Sequence, residues 1–250
     1  MLFTNLIQTN LQTSFIGRNI EYFSFTDSTN DDAFEFINNN QAKNGMLVIT
    51  DNQKNGRGRR NNKWLSSPGN NLTFSLILKK PNDSNLGLFS ILTGVSIIKG
   101  IKSFTNIHCN LKWPNDIILN NKKIGGILIE TNRNSPFFII GVGLNVNAQE
   151  IPSEIEKIAS SLRIEKNTPI QREPLLAFIL NEFENLYNCN PINWIKHWKK
   201  YCNHLNKTVS FNHQNKNING LFLDINNDGN AIINIEKEDI IISSGTLEIL

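Results

Sequence analysis

Two kinds of hydrophobic pattern alternate along the first two-thirds of the chain. One is a short continuous or alternating apolar run; the other has apolar positions recurring every three to four residues. Residues 20–25, 46–50 and 71–78 read as strands, and residues 27–43 between the first two read as a capped helix. Residues 85–103 place Leu86, Phe89, Leu92, Val95, Ile98 and Ile101 on one helical face. Strands follow at 108–112, 117–119, 122–130 and 137–147. Pro114, which cannot donate to a ladder, marks a break, and Asn120-Asn121 marks a hairpin turn. Helices are expected at 153–162, 173–187 and 192–201, the last with Trp194 and Trp198 stacked four apart as core packing. From residue 207 the period returns to two. Runs at 209–211, 218–225, 231–235, 240–242 and 247–250, with a tight turn at 227–230, predict a small appended β-barrel. Residues 1–19 are weakly patterned and predict no element.

Composition narrows this picture. The 250 residues suffice for one large domain, or a main domain with a small one, and 39% are hydrophobic. The formal charge is +3 (25 basic minus 22 acidic), too small to point to nucleic acid. Asn is abundant but dispersed, a bias without a function attached. Cys109, Cys189 and Cys202 form no CxxC pair and fit a reduced protein; Cys202, His204 and His197 lack zinc spacing. No charged-then-apolar leader and no run of 18 apolar residues is present, so a cytoplasmic protein without a membrane is expected.

The chemistry concentrates in residues 55–64, Asn-Gly-Arg-Gly-Arg-Arg-Asn-Asn-Lys-Trp, inside about twenty polar residues linking two core strands. A solvated basic turn would account for the arginines, but connections this long are usually binding loops or lids. Arginines can fork onto carboxylate or phosphate oxygens. At 27–31, Ser28 and Asp31 have capping-box spacing, with Asp27 as an alternative cap; the same geometry could hold a small polar ligand at a helix start. Gly125, Gly126, Gly141 and Gly143, in successive strands, suggest a cavity floor for a flat ligand. With Lys112, Asp116 and Lys123, these elements supply fixed cations and no Ser-His-Asp set or P-loop. Such a site suits joining a carboxylate to a nucleotide α-phosphate, where the barrier is crowded negative charge.

Five segments in order carry a resemblance: residues 27–30 (Asp-Ser-Thr-Asn); Gln53 with 56–60 (Gly-Arg-Gly-Arg-Arg) and Lys63-Trp64; 112–116 (Lys-Trp-Pro-Asn-Asp); 123–128 (Lys-Ile-Gly-Gly-Ile-Leu); and 141–145 (Gly-Val-Gly-Leu-Asn). Together they resemble a biotin protein ligase, a biotin–[acetyl-CoA-carboxylase] ligase, over roughly residues 20–250. The resemblance implies an α+β fold: a class II aminoacyl-tRNA synthetase-like catalytic domain (residues 1–203) with helices on one face of a mixed sheet, and an SH3-like barrel (204–250). It implies two steps, biotin and ATP to biotinyl-5′-AMP and then transfer to a lysine of a biotin carboxyl carrier protein.

Ser28, Thr29, Asn30, Gln53, Arg57, Gly58, Arg59, Lys123, Gly126 and Leu128 would then contact biotin. Arg57, Arg59, Lys112 and Lys123 would act in catalysis. Arg60, Trp64, Asn115, Asp116 and Asn145 would face ATP, with Asp116 touching Mg²⁺. About twenty residues before the first strand leave no room for a helix-turn-helix, so no specific DNA binding is expected; a monomer or weak homodimer is. The rival readings are a lipoate ligase of the same fold and a binding module that uses the arginine loop as a phosphate clamp. Acidic Glu236, Glu238 and Asp239 argue against RNA on the barrel.

Overall fold

A computed structural model describes residues 1–81, 85–213 and 216–250. In chain order the elements are α1 (Thr4–Asn10), β1 (Ile20–Phe23), α2 (Thr29–Asn38), β2 (Met46–Thr50), β3 (Asn71–Lys79), α3 (Leu88–Thr105), β4 (Asn110–Lys112), β5 (Asp116–Leu119), β6 (Lys122–Glu130) and β7 (Phe137–Asn145). They continue with α4 (Leu162–Lys166), α5 (Arg172–Tyr187), α6 (Pro191–Tyr201), β8 (Lys207–His213), β9 (Lys216–Ile225), β10 (Ala231–Ile235), β11 (Glu238–Ile242) and β12 (Leu247–Ile249).

Strands β1 to β7 form a mixed sheet in the order β1-β2-β3-β7-β6-β5-β4. Only β1 and β2 run parallel; the other neighbours are antiparallel. The β5–β6 connection turns at Asn120 and Asn121, with φ of 48° and 64°. Asparagine tolerates this left-handed region, so the turn closes without the usual glycine.

One face of the sheet packs Leu47, Ile49, Leu76, Leu78, Phe138 and Ile140 beneath α3, α5 and α6. Helix α3 has thirteen buried residues among its eighteen, so it is a core helix whose polar strip is reduced to Lys99, Lys102 and Ser103. It is long and apolar enough to cross a membrane, yet 72% of that span is buried in the fold. The opposite face carries Met46, Val48, Ile77 and Ile139 under Ala33, Phe34 and Ile37 of α2. The expectation of helices on one face is therefore corrected: α2 covers the other, because the strand alternation makes both faces apolar there.

Three further expectations are revised. Residues 1–19 hold a helix, α1, packed against α5 through buried Ile7. Residues 153–162 are mostly turns, and the helix there is the short α4, started by Ser161 Oγ accepting from Ile164 N. Helix α2 stops at Asn38 rather than near 43, with Asn40 left-handed just beyond it. Strands β8 to β12 make a second, antiparallel sheet in the order β11-β10-β9-β8-β12. The hydrophobic core is continuous across both sheets: Trp113, Trp194 and Trp198 belong to one cluster with Val209, Phe211 and Phe222.

Candidate active site

The arginine loop is an ordered structure of its own. Trp64 N donates to Gly56 O (2.9 Å), Gly58 N to Asn62 O (2.7 Å), and Arg57 bridges Lys63. A Cβ at Gly56 would stand 2.5 Å from Gln53 Nε2 and 2.6 Å from Trp64 O, so no larger residue fits the unshifted turn. Its left-handed residue is Arg60 (φ 56°), not a glycine.

Beneath this loop lies a cavity of about 150 Å³. One end is polar and formed by the start of α2. Ser28 is the N-cap residue but makes no side-chain cap bond, and Asp31 turns outward to Arg57. The expected capping box is thus absent, and these side chains serve the site instead of the helix end. Thr29 N donates to Gln53 Oε1 (3.0 Å). Asn30 Nδ2 donates to Glu130 Oε2 (2.5 Å), and Ser75 Oγ bonds both Asn30 Oδ1 (2.5 Å) and Thr29 Oγ1 (2.7 Å).

The floor is glycine-lined. A Cβ at Gly141 would sit 2.5 Å from Asn30 Oδ1, and one at Gly143 would sit 2.2 Å from Trp64 Cε2. Strand β7 therefore lets the Asn30 amide and the Trp64 indole lie directly on its backbone. Gly126 lies beside Trp64 and Lys123, whereas Gly125 is buried against Leu144 and Ile117 and takes no part in the floor.

At the other end stand the cations. Lys123 Nζ pairs with Asp116 Oδ1 at 2.6 Å. Asn115 is pinned by donating its amide to Ile127 O (2.7 Å), and its Oδ1 accepts from Arg59 Nη1 (3.4 Å). Arg59 also donates to Gly245 O (3.1 Å), just before β12, so the second sheet closes this side. Burial and the adjacent Arg60 lower the Arg59 pKa from its ordinary value, while Asp116 opposes them. Among the described residues, neither Arg59 nor Lys112 has a carboxylate within ion-pair distance. A half-buried guanidinium in that state favours an anion.

The cavity brings together Ser28, Thr29, Asn30, Gln53, Arg57, Gly58, Arg59, Trp64, Lys112, Asn115, Asp116, Lys123, Gly126 and Leu128. Two expected residues lie off its lining. Arg60 is exposed on the outer side of the loop, 3.5 Å from Thr246 Oγ1. Asn145 spends its amide on Asn71 and Ser160 O, tying strand ends together. The Arg57 guanidinium is taken up by a two-pronged pair with Asp31 (2.5 and 2.6 Å) and lies 3.7 Å from Glu130. Asp31 raises its pKa. It latches the loop to α2. Sequence reasoning missed Glu130, Thr73, Ser75 and the 245–247 segment, all lining or contacting the site. Glu130 could have been found, since it follows the residue 123–128 motif on the same strand and is acidic in an apolar run.

Residues 22–147 match the model of the biotin/lipoate A/B protein ligase family. The chain belongs to that family. It is 38% identical over 188 residues to the bifunctional ligase/repressor BirA of Bacillus subtilis, a match covering 72% of the chain and 57% of that protein. The biotin–[acetyl-CoA-carboxylase] ligase of Mycobacterium tuberculosis is 27% identical over 173 residues, covering 67% of the chain and 63% of that protein. The chain thus spans somewhat more than half the length of the curated relatives it matches. Among solved structures, the biotin protein ligase from Aquifex aeolicus in complex with biotin and ATP superposes with a TM-score of 0.83 at 27% identity, covering 93% of the chain and 99% of that structure. The seven-stranded mixed sheet with a separate C-terminal antiparallel sheet is the fold of these ligases.

Proposed function

We propose that the chain is a biotin protein ligase, activating biotin with ATP and transferring the acyl group to a lysine of a carrier protein. The observation that carries this reading is the polarity of one cavity. Neutral hydrogen-bonding groups from α2 and Gln53 stand at one end, and Arg59, Lys112 and Lys123 stand at the other, across a glycine floor. That arrangement suits an acid with a neutral head and an anionic tail that must meet a phosphate. The Aquifex structure with biotin and ATP supports the same pairing of ligands.

In the first step a biotin carboxylate oxygen would attack the ATP α-phosphorus. The new bond is O–Pα, and the Pα–O bond to the β-phosphate breaks to release pyrophosphate. Both reactants are anionic, so fixed cations lower the barrier by meeting charge already in place. Lys123 would turn from Asp116 toward the carboxylate and α-phosphate, with Lys112 on the nucleotide side. Arg59 would cover the mixed anhydride, and the latched loop would keep water away from it. In the second step a carrier lysine amine attacks the acyl carbon, the C–O bond to AMP breaks, and the amine loses a proton.

Among the described residues no three His, Cys, Asp or Glu side chains gather as a metal site. One carboxylate of the cavity, Asp116, which Lys123 would release on turning to the substrates, fits a magnesium ion carried in by phosphates, because Mg²⁺ commonly takes one or two protein carboxylates and keeps phosphate and water oxygens. Asp116 would hold it there, and the ion would supply charge neutralisation on the phosphate oxygens. Biotin-dependent pyrophosphate release in the presence of a carrier domain, with the label recovered on a carrier lysine, tests the reading. Absence of both from folded protein contradicts it.

A further inference from the structure

The hydrogen bonds at the polar end of the cavity can run in two senses, and one residue outside the recognised motifs decides between them. Glu130 Oε2 lies 2.5 Å from one polar atom of the Asn30 amide, and Ser75 Oγ lies 2.5 Å from the other. A carboxylate only accepts. Asn30 must therefore turn its NH₂ toward Glu130, since the flipped amide would set two acceptor oxygens 2.5 Å apart. Its Oδ1 then faces Ser75 and has no proton, so the Ser75 hydroxyl must donate to it. A hydroxyl has one proton, so the 2.7 Å contact between Ser75 and Thr29 runs with Thr29 as donor, in preference to the longer 3.4 Å approach of Thr29 Oγ1 to Gln53 Oε1. Thr29 Oγ1 is left with lone pairs alone. Gln53 Oε1 is engaged by Thr29 N, which leaves the Gln53 NH₂ as donor. The cavity end therefore presents one fixed acceptor, Thr29 Oγ1, beside one donor group, the Gln53 NH₂.

Resting on the ligase reading above, we infer that Glu130 is the positioning residue that sets this polarity and selects a neutral head group with a carbonyl acceptor next to an N–H donor. Arg57, 3.7 Å away, is committed to Asp31 by two shorter contacts, so the Glu130 carboxylate remains available to Asn30. Lipoate, whose ring has neither carbonyl nor N–H, gains nothing from the arrangement. With glutamine at 130 the amide can donate or accept, the chain of bonds can reverse, and Thr29 can offer a proton where the ligand also offers one.

The test is steady-state pyrophosphate release by wild type, Glu130→Gln, Ser75→Ala and the double variant, with thermal melts alongside. Glu130→Gln should raise the biotin KM about tenfold, as expected for one misdirected charge-assisted bond. The ATP KM should stay within about twofold. Ser75→Ala, which breaks the relay with Glu130 intact, should weaken biotin similarly, and the double variant should lose little more than either single one. Ser75→Ala alone carries the test should Glu130→Gln not fold. An unchanged biotin KM in the folded variants, equal shifts in the biotin and ATP KM, or additive losses overturn the inference while leaving the ligase reading intact. A wild type that releases no pyrophosphate with biotin removes the reading and the inference with it.

Discussion

Arg59 is the residue on which the water-exclusion argument turns. Its guanidinium is held by neutral oxygens only, Asn115 Oδ1 and Gly245 O, with Asp116 beyond ion-pair distance. A cation desolvated without an anionic partner is costly by itself and is stabilised when an anion arrives. Arg59→Ala should lower biotin-dependent kcat/KM by roughly two orders of magnitude, the range for losing one preorganised charge. It should also release biotinyl-AMP into solution, seen by chromatography of the reaction mixture. Unchanged biotin binding together with unchanged carrier labelling would sink the role. Arg57 shows the limit of residue-type reasoning: in sequence the two arginines are equivalent cations two positions apart. The structure gives one to Asp31 and leaves the other facing the cavity. Nothing local in the sequence separates them, because the partner that decides, Asp31, has the spacing of a helix-capping residue.

At the scale of elements, the strand pattern β2, β3, β5, β6 and β7 was legible to within a residue or two, since apolar alternation and turn residues both mark it. Helix α1 was not legible, because its seven residues include only one buried side chain and its place is fixed by α5. The glycine floor was legible as a surface but not its occupants: Trp64 and Asn30 come from segments far away in sequence. That floor makes a sharp prediction. A methyl at position 143 would meet the Trp64 ring at 2.2 Å, too near for any real contact, so the indole must shift off β7. Gly143→Ala should weaken biotin binding by about tenfold or more by isothermal titration, a misplacement effect of the kind that costs affinity without unfolding. Retained affinity with an unchanged melting temperature would mean that Trp64 does not form the wall of the ligand site.

The whole molecule is organised by the contact between its two sheets. His204 sits at that contact with no exposure, its ring 4.4 Å from the Phe222 ring centroid; Trp113 N donates to Nε2 (3.4 Å), and Nδ1 faces Asn203 Oδ1 and the Cys202 thiol. Burial, then the charges of Lys112 and Lys207, push its pKa down from 6.5 to about 3. The folded pKa lies below the unfolded one, so the neutral ring's contribution is complete above pH 6.5 and is lost as pH falls from 6.5 toward 3. The total over that window is on the order of 3–5 kcal/mol. Denaturant melts at pH 7.5, 5.5 and 4.5 should show stability falling more steeply in wild type than in His204→Gln. Parallel pH slopes would contradict the buried neutral ring. The two-sheet plan was legible from the change of period near residue 207. The junction was not, because it depends on long-range partners: Trp113 Nε1 on Gly229 O, and Arg59 on Gly245 O.

Adenylation of an acid in the cavity under the arginine loop is read out by pyrophosphate release from ATP with biotin, with lipoate and with no acid. Release that depends on biotin and is at background with lipoate is the predicted result. Release with lipoate instead, or none with either acid from folded protein, contradicts it.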